Sequence, residues 1–386
     1  MRTLFVVDRA ADWPDLPGEV VEATRYLAGG ADGPARVINL CACERAECPG
    51  YYVSLLAEAR GHAPFPPVRV LADRLRPARL PRCGPARAGS PSLAILHTAD
   101  EAMPPSNARA LQALARAGAA LGLRVETIDR NGLARLAGFD ALFIRDTTYL
   151  DHYTYQFSQR AAALGMVVIE DADSILQCNN KVYLNELLTR HGVPVPRTLM
   201  VHRDNLGEVA ATLGLPCILK QPDGGFSLGV RKAHDAQALR RHALELLAKS
   251  ELIIAQEYMP TEFDWRVTVL DRRVLFVCKY YMAPNHWQVH KHGPGEHVEG
   301  RTEALSVGEA PQIVVSTALR AANLIGDGLY GVDLKQVGPH CYVIEINDNP
   351  NIDAGNEDGV LKDALYREVM GVFLRRILER QVALAA

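Results

Sequence analysis

The sequence predicts an α/β protein of two to three domains, and three observations carry that prediction. Between residues 92 and 175, short runs rich in Val, Ile and Leu alternate with helical stretches, the pattern of a parallel sheet covered on both faces. Beyond residue 176, longer strand-like pieces come in pairs joined by tight turns, which implies antiparallel pairing. The chain has 386 residues, 48% hydrophobic and 23% charged. At about 100–200 residues per domain this length exceeds one domain, and the composition excludes a mostly disordered chain.

The elements follow in order. In residues 1–75, Leu4–Val7 and Arg36–Cys41 read as strands and Tyr51–Arg60 as a helix. Residues 76–91, dense in Pro, Gly and Arg, hold neither ladder nor helix and read as a linker. In residues 92–175, Leu93–His97, Arg124–Ile128, Ala141–Arg145 and Met166–Glu170 are the buried strands. A helix over Asn107–Leu121 takes Ser106 as its N-cap. In residues 176–386, Leu252–Tyr258, Trp265–Leu270 and Val274–Tyr281 are strand-like, the last two joined by Asp271-Arg272-Arg273, and a helix over Lys362–Arg380 closes the chain. No repeat of fixed period occurs, which disfavours solenoids and propellers.

Charge and cysteine usage narrow the class. Net charge is −3, so no strong basic footprint for nucleic acid exists. No apolar run approaches the roughly 18 residues of a membrane span, and the apolar stretch after Met1 is too short for a signal peptide. Eight cysteines in a chain of this length then read as reduced thiols of a cytoplasmic protein. Cys41, Cys43 and Cys48 with distant Cys83 match no strong metal pattern and are expected to be unrelated thiols; His290, His292 and His297 lack the companion spacing of a zinc site. Only eight of the 42 basic residues are lysine, none before Lys181. Each is worth weighing, because arginine does not replace a compact ammonium at every site.

The stretch from Gly331 to Pro350 is the most informative. Two strand-like runs flank Gly338-Pro339-His340, and a turn centred on residue 339 sets Asp333 opposite Glu345, with β-carbons about 5 Å apart. Asn347 follows Glu345 by two and shares its face. Opposed carboxylates repel unless a positive group lies between them. A hard cation such as Mg²⁺ suits two carboxylates and an amide; solvation, or neutralisation by Lys335 on the same face, is the alternative.

Two lysines stand beside anion-binding backbone. Cys217–Lys220 reads as a strand that ends in Lys220, followed by Gly224-Gly-Phe-Ser-Leu-Gly229 and a second strand. Such a loop can lay N–H groups along phosphate oxygens, although it lacks P-loop spacing and a plain surface turn is an equal reading. Lys181 heads a helix running to about Arg190, a position unfavourable for a cation unless an anion binds there.

Together these pieces resemble an ATP-grasp ligase of the RimK-type and glutathione synthetase-like branch, from about Ala141 to Ala386. The resemblance rests on Lys181, Lys220 with the loop Gly224, Gly225, Phe226, Ser227 and Gly229, then Ile254–Met259, Asp264-Trp-Arg266, Asp333 and Glu345-Ile-Asn-Asp-Asn-Pro350. The first region, with Asn39-Leu-Cys41 and Gly50–His62, resembles the subgroup with a RimK-like N-terminal domain, in a reduced form. The resemblance implies an ATP-grasp fold of two α+β lobes gripping ATP (176–386), a pre-ATP-grasp α/β domain (92–175) and a small N-terminal α/β domain (1–75). It implies that Lys181 and Lys220 bind phosphate. Gln256, Glu257, Tyr258 and Met259 would form the adenine hinge, Asp264 would belong to the nucleotide site, and Asp333, Glu345 and Asn347 would hold Mg²⁺, with Mn²⁺ as a substitute. Gln288-Val-His-Lys-His-Gly293 stands where the family has Asn-Leu-His-Arg-Gly-Gly, so Gln288 and Lys291 match less closely.

The implied reaction is ATP-dependent activation of a carboxylate to an acyl phosphate, captured by an amine to form an amide. Arg266 and Lys291 would stabilise charge in the transition state. Substrate selection is expected from Arg145, at the end of a parallel strand, where a guanidinium suits a carboxylate, and from Gln288; a salt bridge with Asp146 or Asp171 is the alternative for Arg145. His286-Trp287 and Tyr280-Tyr281 are expected mainly in core packing. The partners are small carboxylates and amines, with a peptide or protein acceptor open, and neither nucleic acid nor membrane. Two other classes stay in play: an ATP-grasp phosphotransferase acting on a hydroxyl, and a nucleotide-binding regulatory protein.

Overall fold

The computed structural model describes all residues except 30–32, 46, 76–89, 224–228, 294–295 and 386. Most of the linker expected over 76–91, and Gly224, Gly225, Phe226 and Ser227, therefore lie outside the described residues. The chain forms two compact units, one from residues 1–77 with 180–260 and the other from residues 78–179 with 261–386.

The first unit contains an all-parallel sheet in the spatial order Glu19–Glu22, Arg2–Val7, Ala35–Asn39, Ala63–Phe65. Sequence patterning predicts only the two central strands, because the outer pair is short and exposed at most positions. The helix Pro49–Ala59 starts with Pro49 at its first turn and buries nine of its residues, proline being favoured there because its missing N–H would have no partner. The same unit holds an antiparallel sheet in the order Val230–Ala233, Cys217–Lys220, Ile253–Glu257, Thr198–Val201. Alternation sends Cys217, Leu219, Ile253 and Ala255 into a core with Leu239, Ala243 and Leu246 of the helix Ala236–Leu247. The opposite face carries Ile218, Lys220, Ile254 and Gln256.

The second unit contains the parallel sheet expected from the middle of the sequence, in the order Arg124–Ile128, Ser92–Leu96, Ala141–Ile144, Val167–Ile169. It is covered on both faces. Leu93, Ile95 and Phe143 pack with Tyr366, Met370 and Phe373 of the helix Asp363–Ala385, while Leu96, Leu142 and Ile144 pack with Tyr155, Phe157 and Ile175. Its first helix, Ala108–Ala120, is capped by Asn107, which accepts from the Ala110 N–H at 3.0 Å. The expected cap, Ser106, instead donates to the Ile352 carbonyl, a tertiary partner outside the reach of local pattern. A five-stranded antiparallel sheet follows, in the order Thr302–Leu305, Arg273–Tyr281, Phe263–Leu270, Leu329–Val337, His340–Asn347. Asp271 and Arg272 make its two-residue turn with φ of 51° and 62°, the left-handed geometry that matches strand twist. His290–Gly293 pairs with Glu296–Glu299 as a two-stranded ribbon.

Candidate active site

The lysine segment is stitched together by backbone. Asn180 caps the helix Lys181–Arg190, its side-chain oxygen accepting from the N–H groups of Val182 and Tyr183 at 3.1 and 3.0 Å. Its amide donates to Asp223 at 2.9 Å, and the Lys181 N–H donates to the Pro222 carbonyl at 2.9 Å. Lys181 thus stands beside the residues that follow Lys220, and both lysines are buried, at 8% and 9% exposure. Burial and the neighbouring Glu47 push the Asp223 carboxyl well up, against the pull of Lys181. Asn180 and Asp223 were not singled out from sequence; an Asn directly before an apolar-periodic run is the cap signal that finds the first.

The hinge residues end the strand Ile253–Glu257. Gln256 donates to the Thr198 hydroxyl at 3.0 Å. Glu257 accepts from the Arg197 N–H and guanidinium, each at 2.8 Å. Burial works against its ionised form, and Arg197 outweighs that, holding the carboxyl below the usual range. Tyr258, followed by half-buried Met259, has the Lys232 ammonium 3.5 Å from its ring centre, a cation–π contact. Gly229, at φ 76°, closes the loop after Lys220.

In the second unit the hairpin sets Asp333 opposite Glu345 and Gly331 opposite Asn347. The expected pairing arises by a different route. The turn is the tighter Gly338-Pro339, since Val337 pairs with His340, and an irregularity beyond Leu334 inserts Ile344 as an unpaired residue. That bulge restores the register. Arg266, on the adjoining strand opposite Asp333, grips it with two bonds: Nε to Oδ1, and Nη2 to Oδ2 at 2.8 Å. Gly331 makes room for it, because a β-carbon there would lie 2.6 Å from the Pro350 β-carbon and 3.0 Å from Arg266 Cδ. Lys335 does not neutralise the pair; its ammonium donates to Asp264 at 2.5 Å and to Thr261 at 2.7 Å.

The donor chemistry fits a hard divalent cation. Among the described residues no three His, Cys, Asp or Glu side chains converge, so a third protein donor would have to be the Asn347 amide, whose nitrogen lies 3.2 Å from Asp333. Burial pushes the Asp333 carboxyl up; Arg266 opposes this, and Glu345 and Asp264 add to the rise. A bound cation would reverse it.

Other candidates are placed as follows. Arg145 is fully buried and donates four bonds, to Ser106 (3.0 Å), Asn349 (2.7 Å), the Pro105 carbonyl (2.5 Å) and the Pro350 carbonyl (2.8 Å). It ties the parallel sheet to the segment that leaves the carboxylate strand. Gln288 accepts from or donates to His286 at 3.3 Å, and exposed Lys291 lies on the ribbon opposite Val298. Tyr280 is buried against Glu357 at 2.8 Å, with the Arg266 guanidinium 4.9 Å over its ring.

Comparison with known proteins places this geometry. Residues 23–93 match the RimK-like ATP-grasp N-terminal domain and residues 178–362 the RimK-like ATP-grasp domain. A protein of Alcanivorax borkumensis named "Probable alpha-L-glutamate ligase" is 24% identical over 246 residues, 63% of this chain and 77% of the relative. The "Alpha-aminoadipate--LysW ligase LysX" of Sulfurisphaera tokodaii is 26% identical over 196 residues, 48% and 65% of the two chains. Among solved structures, the D-alanine–D-alanine ligase of Bacillus anthracis superposes with TM-score 0.58 at 15% identity, over 77% of this chain and 99% of that one. The ATP-grasp ligase PsnB with its minimal precursor gives 0.54 at 20% identity, over 74% and 99%. No helix among the described residues is long and apolar enough to cross a membrane. The two matched domains, their order along the chain and the shared fold make this protein a member of the RimK-like ATP-grasp family of carboxylate–amine ligases.

Proposed function

We propose that the protein joins a carboxylate to an amine at the expense of ATP, releasing ADP and phosphate, with an amino acid as one substrate and a peptide or protein carboxyl or amine as the other. The carrying observation is the hairpin that sets Asp333 against Glu345 with Asn347 alongside. Relatives named as an alpha-L-glutamate ligase and an alpha-aminoadipate–LysW ligase, and a structural neighbour solved with its minimal precursor, support the substrate class. A neighbour solved with ATP and another with Mg and ADP support the nucleotide and metal. The cytoplasm is the proposed setting, supported by the seven free cysteines among the described residues.

In this proposal Lys181 and Lys220 hold phosphate oxygens, together with Gly229 and the loop before it. Gln256, Glu257, Tyr258 and Met259 border adenine, and Asp264 serves the nucleotide site. Asp333, Glu345 and Asn347 would hold Mg²⁺, which when bound screens phosphate charge. Arg266 holds Asp333 in place and, with Lys291, faces charge that develops on the transferring phosphoryl group. Gln288 and Arg145 act on the substrate side, Arg145 by positioning Asn349 and Pro350. Positioning accounts for most of the chemistry, since a carboxylate oxygen attacks phosphorus and the amine then displaces phosphate from the acyl carbon.

The test is phosphate release from MgATP against pooled amino acids, each pool with and without a short glutamate-ended peptide. Release that requires an acid and an amine together, with a product mass equal to both less water, is the expected result. Release driven by a polyol alone would make the protein a phosphotransferase, and ATP binding without turnover in any pool would make it a regulatory binder.

A further inference from the structure

We infer that His97 is the base that takes a proton from the incoming amine, with Asp146 holding its ring. The inference rests on the ligase reaction proposed above. An amino group is mostly protonated at pH 7 and cannot attack carbon until a base removes that proton. His97 directly follows Ser92–Leu96, the strand from which the chain runs to Arg124–Ile128 on one side and then to Ala141–Ile144 on the other. Open α/β sheets take ligands outside the carboxyl ends of strands at such a switch point. The His97 N–H donates to the Ile128 carbonyl at 2.9 Å, and the Arg145 N–H donates to the Leu96 carbonyl at 2.8 Å. Backbone pairing on both sides therefore fixes the root of the His97 side chain.

Two acceptors flank the ring at Nδ1, the Arg145 carbonyl at 3.4 Å and Asp146 Oδ1 at 3.3 Å. A carbonyl oxygen only accepts, so Nδ1 carries the hydrogen and Nε2 keeps the lone pair. Nε2 has no hydrogen-bond partner among the described residues, and the side chain is 19% exposed. Asp146 is itself held: it is fully buried, Oδ1 accepts from the Thr98 N–H at 2.9 Å and Oδ2 from the Tyr153 hydroxyl at 2.6 Å. Burial and Asp146 push the Tyr153 phenol up, so it remains a donor. The other charges on these loops are engaged elsewhere. Arg145 sends its side-chain donors to Ser106, Asn349 and two carbonyls, Arg130 pairs with Asp100, and Glu101 accepts from Thr147 at 2.6 Å. Asn349 donates to the Asp146 carbonyl at 2.7 Å. It stands two residues past Asn347, at most about 7 Å along the chain, so the His97–Asp146 pair is tied to the segment of the proposed metal donors.

The step balances without any further reactant. His97 Nε2 takes one proton from the ammonium form of the amine. The freed lone pair forms the C–N bond to the acyl carbon, and the C–O bond to phosphate breaks with its electron pair leaving on phosphate. Phosphate takes the second proton from nitrogen, which leaves the amide N–H, and His97 returns its proton to water. Asp146 keeps the ring in the tautomer that can accept, and it steadies the imidazolium that forms.

The test gives the full chain MgATP and a short glutamate-ended peptide as the acid, with either glutamate or hydroxylamine as the nucleophile. Hydroxylamine is unprotonated at neutral pH and needs no base to capture an acyl phosphate as a hydroxamate. His97→Gln should lower kcat for the amide by about 10²–10⁴-fold while hydroxamate formation stays close to wild type. The acid limb of the wild-type kcat profile against pH should be missing from His97→Gln. Added imidazole should restore amide formation to His97→Ala, which a merely structural role would not allow. Equal losses with both nucleophiles, or amide formation unchanged in His97→Gln, would overturn the base. Failure of the wild-type protein to make either product would instead overturn the ligase reading, and the base with it.

Discussion

Residues 180–260 and residues 261–386 both hold the charged side chains proposed to meet a nucleotide, and they place them by different means. In the first, Lys181 and Lys220 are placed by backbone: a capped helix start, an N–H donated to Pro222 and a strand end. In the second, the carboxylates are placed by side chains of opposite charge, Arg266 on Asp333 and Lys335 on Asp264. A cation on a flexible stem needs only a fixed root, because its charge can swing to the phosphate. Short carboxylates need a fixed direction as well, and paired cations supply it while limiting repulsion.

Four changes break or sharpen that contrast. Glu345→Ala removes a donor that no flexible stem can replace, and ATP turnover should fall by about 10²–10³-fold with the fold intact. Turnover near wild type in a protein with native circular dichroism would remove the hairpin from the metal site. Arg145→Met should cost about 3 kcal/mol in denaturant titration, because three buried acceptors and half-buried Asn349 lose their donor. A raised KM for the acid substrate would tie Arg145 to substrate positioning; an unaltered KM would confine it to structure.

Lys220→Met should reduce kcat/KM for ATP by about 10- to 100-fold, the range of a single charge-assisted contact, while leaving the thermal midpoint close to wild type. An equal loss for Lys220→Arg would show that compactness matters as well as charge. The last change concerns pH. Glu170 is fully buried, its oxygens make no hydrogen bond of ordinary geometry among the described residues, and the Leu329 N–H is only within electrostatic reach. Burial, with Asp348 adding, pushes its carboxyl well up. A raised folded value means that the folded state holds the proton longer, so stability falls as pH rises from the ordinary carboxylate range towards that value, by about 1.4 kcal/mol per pH unit. Glu170→Gln should flatten the decline of the thermal midpoint between pH 5 and 8. An unchanged slope would mean that the carboxylate is relieved some other way.

Much of this was legible before any coordinate. The parallel strands around Leu93, Arg124, Ala141 and Val167 announce themselves by continuous apolar runs, because both faces are buried. The helix head at Lys181 follows from local pattern, and the pairing of Asp333 with Glu345 was anticipated, although the tighter turn would have shifted it had the bulge at Ile344 not restored the register. The short outer strands Glu19–Glu22 and Ala63–Phe65 were not legible, since three or four residues are too few to carry a period. Nor was the preference of Ser106 for Ile352 over the helix start, or the bulge at Ile344.

The sequence by itself determined the order of elements, the family, and which residue types could meet phosphate and a hard cation, because these depend on spacing within a few residues. Only the tertiary structure decided which cation answers which carboxylate, where the Arg145 donors go, and that Cys48 caps a helix. The physical reason is range. Period and capping act over one or two turns of chain, whereas Arg266 with Asp333 spans 67 residues and Arg145 with Asn349 spans 204, distances over which pairing is chosen by packing.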